Sequence, residues 1–409
     1  MKIKLHKPNT SLKADLIISG SKSESNRLLI LQQAFPNITI ENLSTSDDTQ
    51  VMQKALRSND NVADIHHAGT AMRFLTAYFA ANVSDEIVLT GSQRMKERPI
   101  AILVDALQSI GANISYEEQE GYPPLRIKKS AISKDKVAIK GNVSSQYISA
   151  LILMAPSLPN GLEIELVGEI TSVPYIEMTL QLLSQLGIEA TFSENKIKVQ
   201  PKKEVENKTI VVESDWSSAS YFYSLIALSE VSSNIKLSAY KEDSLQGDSC
   251  LAKIYEHFGV KTEFLENTIV LTKEQEHNPN ILIQDLKSAP DIAQTIAVTC
   301  FGLGITCDLT GLHTLKIKET DRLEALKNEL TKLGAKIEVT NDSLHLKTSE
   351  VIHENIEIET YNDHRMAMAF APLALRVPIQ ILDAMVVTKS YQSFWDDMKE
   401  IGITVQEVK

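Results

Sequence analysis

Five stretches of the chain read as an amphipathic helix, a stopping glycine and then an alternating strand. They are PIAILVDALQSIGANISYEE, PYIEMTLQLLSQLGIEATF, CLAKIYEHFGVKTEF, RLEALKNELTKLGAKIEV and FWDDMKEIGITVQEV. Their glycines, Gly111, Gly187, Gly259, Gly334 and Gly402, are separated by 76, 72, 75 and 68 residues. Each sits where a left-handed helix C-cap belongs. Pro99 and Pro174 suit a first helical turn. One such helix end is common in any α/β protein, whereas five at near-constant spacing read as internal repetition. SDDTQVMQKALRSND, from Ser46, reads as a degenerate first copy.

A second helix belongs to each unit. The candidates begin near Lys22, Thr70, Ser145, Ser217, Asp291 and His364, and the last five starts are 75, 72, 74 and 73 residues apart. These helices are more apolar than the first set and are expected to be the buried ones. Alternating segments such as EIVLTG, LEIELVG and IQILDAMVV fill the gaps as strands. Six units of this kind nearly exhaust 409 residues. They are too many for one core and suit two globular halves of three units, with a boundary near Glu213. The expected class is therefore α/β (α+β).

Composition narrows the function. The chain is 43% hydrophobic and 23% charged, with formal net charge −12. It is neither a disordered tail nor a disulfide scaffold. A generic nucleic-acid binder would be basic, so any polyanionic partner must meet a local cationic patch. Cys250, Cys300 and Cys307 form no CxxC, which fits a reducing cytoplasm and no structural zinc. No secretory leader is read in the charged N-terminal stretch. The longest uncharged stretch, Gly141 to Leu162, carries Asn142, Gln146, Pro156 and Pro159 and does not read as a membrane span.

Unusual polar residues gather at the helix starts. Lys22, Ser23 and Arg27 open one helix, Gly69, Thr70 and Arg73 another, and Ser144, Ser145 and Gln146 a third. His364 and Arg365 open the sixth. Arg94, Lys96 and Arg98 precede Pro99, and Ser172 and Tyr175 bracket Pro174. Lys318, Glu319 and Arg322 surround another start, and Lys389 precedes SYQSFWDDM. A helix start presents unpaired N–H groups and partial positive charge, which cations oppose unless an anion sits in front. Hydroxyls, N–H groups and cations together make a phosphate or carboxylate site. The plainer readings are caps for Ser46, Asp47, Asp48 and Asp248, and solvated side chains for Arg57, Lys96 and Lys316. Taken together, the clusters favour a site for a multiply charged anion.

No P-loop, dinucleotide fingerprint, GxSxG or HExxH is present. His66 and His67 read as loop residues. Asp291, Glu319 and Asp321 are candidate acids or bases, with ion pairing as the alternative.

These motifs, KSESNR, AGTAMRFL, RMKERPI, SSQYISAL, KIKETDRL and NDHRMAMAF, run in that order over the whole chain. Together they resemble the 5-enolpyruvylshikimate-3-phosphate (EPSP) synthase family. The resemblance implies the enolpyruvyl transferase fold: two domains, each three copies of a βαβαββ unit in an inside-out α/β barrel-like arrangement, with helix N-termini facing the cleft. It implies a C-terminal domain of residues 1–14 plus 214–409, completed by the N-terminal strand, and an N-terminal domain of residues 15–213. The implied reaction transfers the enolpyruvyl group of phosphoenolpyruvate to the 5-hydroxyl of shikimate 3-phosphate, releasing phosphate, in the shikimate pathway to chorismate and the aromatic amino acids. Each substrate brings a phosphate monoester of about −1.5 to −2 and a carboxylate. The pair thus carries roughly −5 to −6, which the helix-start cations would face.

Carried over residue by residue, the resemblance assigns shikimate 3-phosphate contacts to Lys22, Ser23, Arg27, Ser144, Ser145, Gln146, Ser172, Asp291 and Lys318. It assigns phosphoenolpyruvate contacts to Lys22, Gly69, Arg94, Gln146, Arg322, Arg365 and Lys389. Asp291 matches the acceptor of the 5-hydroxyl proton. Glu319, with Lys22 nearby, matches the group that handles protons at the methylene carbon. No cofactor or metal is implied.

Two positions depart from the family pattern. His67 stands where an Asn is usual, and Thr314 where an Asn is frequent. The Gly69-Thr70-Ala71 form is the one associated with glyphosate sensitivity, so glyphosate is expected to inhibit. A cytoplasmic monomer without nucleic-acid or membrane partners is expected. The alternatives are a UDP-N-acetylglucosamine enolpyruvyl transferase, which usually has a first-domain loop cysteine that this chain lacks, and a non-catalytic phosphate-binding relative, which could lose the acid/base groups retained here.

Overall fold

The structure is a computed structural model that describes residues 1–7, 11–58, 60–170, 173–276 and 281–408. It divides into two compact units, one of residues 1–19 and 213–409 and the other of residues 20–212. The first crossing follows Ser19 rather than residue 14. The reason is strand Lys13–Leu16, which pairs in parallel with Asn234–Ser238 and so belongs to the first of these units.

Unit 20–212 carries helices α1 (Lys22–Ala34), α2 (Asp47–Arg57), α3 (Gly69–Asn82), α4 (Gln93–Lys96), α5 (Ala101–Ser109), α6 (Ser145–Met154) and α7 (Val173–Gln185). The other unit carries α8 (Trp216–Leu228), α9 (Leu251–Glu256), α10 (Ala293–Leu303), α11 (Arg322–Lys332), α12 (His364–Phe370) and α13 (Phe394–Glu400). Helices thus occur at each start read from the sequence. The five repeat glycines have φ between 66° and 113°, the left-handed region in which an added Cβ is strained.

One pairing order recurs in the four-stranded sheets. In the sheet of Val62–Asp64, Glu86–Thr90, Leu125–Lys128 and Asn113–Tyr116, the first two strands are parallel and the later pairings antiparallel. The sheets built on Lys136–Lys140 and on Ile281–Asp285 follow the same order. So does the sheet of Lys13–Leu16, Asn234–Ser238, Thr268–Lys273 and Val260–Leu265. A parallel pair needs a crossover, which a helix supplies in the first three of these sheets and residues 17–233 in the fourth, and a hairpin supplies an antiparallel pair in each.

In a further sheet the order is closed by a strand from far away in sequence. Ile356–Ile358 and Ile379–Ile381 are parallel, and Lys2–His6 lies between Ile379–Ile381 and Thr404–Val408, antiparallel to both. The two-stranded sheet Ile38–Glu41 with Lys208–Val211 is parallel.

The second-set helices are the buried ones. Every residue of α8 is buried, and its start is capped by the Asp215 side chain, which accepts from the Ser218 amide at 2.8 Å. A helix apolar all round has to lie inside. α8 and α10 form the centre of one continuous core in their unit, with Ile235, Leu271, Leu326 and Phe370 around them. Each such buried side chain contributes about 1.5–3 kcal/mol relative to exposure. In the other unit Leu75, Leu107, Ile148, Leu151 and Leu182 are equally buried.

Candidate functional site

In unit 20–212 the candidates lie at the starts of α1, α3 and α6. No side chain caps α1, whose N-cap is Ser21. Lys22 Nζ lies 3.5 Å from Asp48 Oδ2 in the first turn of α2. Ser46 caps α2 through the Thr49 amide, as expected.

Arg27 is 2% exposed, and its guanidinium is held entirely from within the unit. It donates to Thr179 Oγ1 at 2.8 Å, to the Ser23 carbonyl at 2.7 Å and to Ser149 Oγ at 3.0 Å. Its carbon centre lies 5.4 Å from the Phe74 ring and 5.8 Å from the Tyr175 ring. Burial lowers its pKa to about 10, with Tyr175 and Glu24 opposing the shift. Arg27 therefore ties α1 to α3, α6 and α7.

α6 is capped by Ser144, which accepts from the Gln146 amide at 3.4 Å. Ser145 beside it is buried. Gln146 Nε2 donates to Thr70 Oγ1 at 3.2 Å, and the Tyr147 hydroxyl donates to the Pro99 carbonyl at 2.7 Å. These two bonds join α6 to the start of α3 and to the RMKERP segment. Gly69 opens α3, and Arg73 donates back to its carbonyl at 2.9 Å. Arg94 is 64% exposed and pairs with Glu97 at 3.1 Å, away from the buried cluster. Ser172 lies outside the described residues. His67 bonds Ser92 Oγ through Nδ1 at 2.7 Å.

In the other unit the candidates converge on Asp291, in a short turn just before α10. Arg322 Nη1 donates to its Oδ1 at 2.9 Å, Lys318 Nζ lies at 3.5 Å, and Arg365 Nη2 lies 3.4 Å from Oδ2. Arg322, 1% exposed, also bonds Glu319 at 2.8 Å and the buried Asp363 at 2.6 Å. Burial opposes its charge, but Asp363, Glu319 and Asp291 outweigh it and hold the guanidinium above its ordinary range. Arg365 is buried too, and Asp291, Tyr221, Asp215 and Asp248 overcome the burial and raise it. Asp363 caps α12 through the Arg365 amide at 2.9 Å, and Asp321 caps α11 through the Leu323 and Glu324 amides at 3.2 Å. Lys389 Nζ donates to the Asn362 carbonyl at 2.7 Å, next to the start of α12. The Thr314 hydroxyl is buried without a hydrogen-bond partner.

Two expectations change. Asp248 is not a helix cap; it is buried and accepts from the Ser217 hydroxyl. Burial, then the field of Asp291, raises its carboxyl to about 7. Lys96 is not merely solvated, since it pairs with Glu118.

The helix-start cations of this unit are balanced by fixed carboxylates, with Lys318, Arg322 and Arg365 facing Asp291, Glu319 and Asp363. An anionic ligand at these cations would therefore compete with fixed carboxylates for the same guanidinium and ammonium donors. Asp48 and Asp363 were not singled out from sequence as site residues. Asp363 was visible only as part of NDHRMAMAF, and Asp48 read as a cap. Among the described residues, no group of His, Cys, Asp and Glu is placed to hold a metal ion.

The family model of EPSP synthase (3-phosphoshikimate 1-carboxyvinyltransferase) matches residues 57–398. A 3-phosphoshikimate 1-carboxyvinyltransferase of Bacteroides fragilis is 46% identical over 402 residues, covering 97% of both chains. One of Haemophilus influenzae is 37% identical, covering 96% of this chain and 98% of its own. Among solved structures, the EPSP synthase of Acinetobacter baumannii superimposes with TM-score 0.81 at 20% identity, over 99% of this chain and 100% of its own. The enolpyruvyl transferase NikO of Streptomyces tendae does so with TM-score 0.76 at 12% identity, over 100% of this chain and 98% of its own. These two likenesses bear on the fold, which is the mixed α/β fold of enolpyruvyl transferases.

Proposed function

The chain belongs to the EPSP synthase family, and from that premise we propose how its residues transfer the enolpyruvyl group of phosphoenolpyruvate to the 5-hydroxyl of shikimate 3-phosphate. The observation that carries this reading is the 46% identity to a 3-phosphoshikimate 1-carboxyvinyltransferase along 97% of both chains.

In this reading Asp291 accepts the proton of the 5-hydroxyl as its oxygen attacks C2 of phosphoenolpyruvate. Glu319, assisted by Lys22, delivers a proton to C3. The tetrahedral intermediate then breaks its bond to the phosphate oxygen, and C3 returns a proton. The ion pairs of Asp291 with Lys318, Arg322 and Arg365 support its assignment, because they fix the carboxylate's orientation. Each positioned acid or base of this kind supplies about 10²–10⁴-fold.

Arg94, Gln146, Arg322, Arg365 and Lys389, with the backbone at Gly69, are assigned to phosphoenolpyruvate. Arginines suit its carboxylate and phosphate because their forks bind such oxygens two at a time. Ser23, Arg27, Ser144, Ser145, Gln146, Ser172 and Lys318, with Lys22 and Asp291, are assigned to shikimate 3-phosphate. Glyphosate is assigned as an inhibitor competing with phosphoenolpyruvate, on the Gly69-Thr70-Ala71 sequence. The enzyme is further assigned as a cytoplasmic monomer. Among the described residues no helix is long and apolar enough to cross a membrane.

The test is phosphate release from phosphoenolpyruvate with shikimate 3-phosphate, and with UDP-N-acetylglucosamine as the other acceptor. Turnover with the first alone is expected. Turnover with the second alone, or with neither, overturns the reading. Unchanged activity in excess glyphosate removes the inhibitor assignment, and a sedimentation mass well above 45.4 kDa removes the monomer.

A further inference from the structure

The segment leading into α12 turns sharply. The Asp363 amide donates back to the Thr360 carbonyl at 2.8 Å. The two residues inside that turn, Tyr361 and Asn362, have φ of 53° and 55°. A turn with positive φ at both central positions is dominated by Gly, Asn and Asp. Asn362 suits it and Tyr361 does not, so the surroundings must hold Tyr361 in place. Three cations assigned to phosphoenolpyruvate are anchored on this turn. Lys389 Nζ donates to the Asn362 carbonyl at 2.7 Å, Arg322 Nε donates to the Asp363 carboxylate at 2.6 Å, and the Arg365 amide donates to the same carboxylate at 2.9 Å.

The group that holds Tyr361 is Glu329, a fully buried carboxylate. It lies two turns after Arg322 on the same face of α11. The Tyr361 hydroxyl donates to its Oε1 at 2.7 Å, and the Glu359 amide donates to its Oε2 at 3.1 Å. Lys332 Nζ reaches both oxygens, at 2.9 and 2.8 Å. A carboxylate inside a protein has to be paired and hydrogen-bonded. Lys332 supplies the charge, and the other two bonds both go to the segment before α12. Burial, and then the bond to Glu329, push the Tyr361 hydroxyl up to about 12, so it stays a donor at neutral pH. α11 thus grips this segment twice, at Asp363 through Arg322 and at Glu359 and Tyr361 through Glu329.

We propose that Glu329 is a positioning residue of the phosphoenolpyruvate site: by bonding the Tyr361 hydroxyl and the Glu359 amide it holds the turn of residues 360–363 in its left-handed form, and so sets where Arg322, Arg365 and Lys389 stand. This rests on the proposed reaction. Glu329 acts through Tyr361 and is not itself assigned a substrate contact.

The experiment begins with phosphate release by the wild-type chain. Absence of turnover there overturns the proposed reaction, and this assignment with it. With turnover present, Tyr361→Phe, Tyr361→Asn, Glu329→Gln and the double variant Glu329→Gln/Tyr361→Phe are assayed, each first shown folded by thermal melting. Tyr361→Phe keeps the ring against the core and loses the bond. Tyr361→Asn loses ring and bond but suits a positive φ. Loss of a hydrogen bond to a charged group predicts that Tyr361→Phe raises the KM for phosphoenolpyruvate roughly tenfold. The KM for shikimate 3-phosphate should stay within about twofold. Tyr361→Asn should raise the phosphoenolpyruvate KM by less than about threefold, even where it melts lower, because the turn then needs no clamp. A role in packing alone predicts the opposite order. Glu329→Gln should raise the same KM, and should add less than about twofold in the Tyr361→Phe background. If Glu329→Gln does not fold, the two Tyr361 variants decide the matter alone. The assignment is overturned, with the reaction left standing, if Tyr361→Phe leaves the phosphoenolpyruvate KM unchanged, if Tyr361→Asn raises it more than Tyr361→Phe does, or if the shikimate 3-phosphate KM rises equally.

Discussion

Nη1 of Arg322 donates to Oδ1 of Asp291 at 2.9 Å, between residues 31 positions apart. The same guanidinium grips Asp363 and Glu319. The carboxylates assigned to proton transfer therefore share one buried arginine.

Replacing either carboxylate should separate binding from turnover. Asp291→Ala and Glu319→Gln are each expected to lower kcat by about 10²–10⁴-fold. Calorimetry should still detect shikimate 3-phosphate binding. Normal turnover by both variants would end the mechanistic assignment.

Arg322 itself should be costly to remove. Arg322→Met leaves Asp363, which is fully buried, without its ionic partner. Breaking a buried pair by removing one partner typically costs about 3–5 kcal/mol. Urea unfolding should show a loss of that order, with Arg322→Lys intermediate. A midpoint equal to wild type would show that the pair carries no net stability.

Asp248 predicts a pH dependence. Its folded carboxyl is raised to about 7, first by burial and then by Asp291, above an unfolded value near 3.9. The folded state thus holds the proton more tightly than the unfolded chain. The stability this contributes is complete below about pH 4 and is lost as pH rises through 7. Asp248→Asn needs no such proton, so its stability should fall less between pH 5 and pH 8. The difference should be on the order of a few kcal/mol. Parallel urea curves for the two proteins would contradict this.

Arg27→Lys is not a conservative change. Thr179, the Ser23 carbonyl and Ser149 are reached from Nε, Nη1 and Nη2 separately, a spread that a single ammonium nitrogen does not reproduce, and an ammonium does not lie flat on Phe74 and Tyr175. A loss of roughly 2–4 kcal/mol is expected from two or more buried bonds, read by chemical denaturation. The KM for shikimate 3-phosphate should rise as well. A variant with wild-type stability would show that the lysine finds equivalent partners.

What the sequence disclosed was local. Gly111, Gly187, Gly259, Gly334 and Gly402 mark helix ends because a left-handed cap is a single-residue requirement. Ser46 caps its helix for a similar reason. The partners of Arg27 and Asp291 were not legible, because Thr179 and Arg365 lie 152 and 74 residues away. A cation at a helix start looks the same whether it awaits a ligand or grips a carboxylate. The crossing after Ser19 was missed because Lys13–Leu16 is too short and too polar to declare its partner strand.

Strand Lys2–His6, lodged between Ile379–Ile381 and Thr404–Val408, has a bearing on biosynthesis. In a nascent chain these residues emerge before the strands that flank them, and they stay unpaired until those strands, more than 370 residues further on, have been translated. Residues 20–212 can complete their own cores in the meantime. The unit that carries Asp291 and Arg322 must then close last, so a chain arrested before residue 404 would hold one finished unit and an open edge on the other.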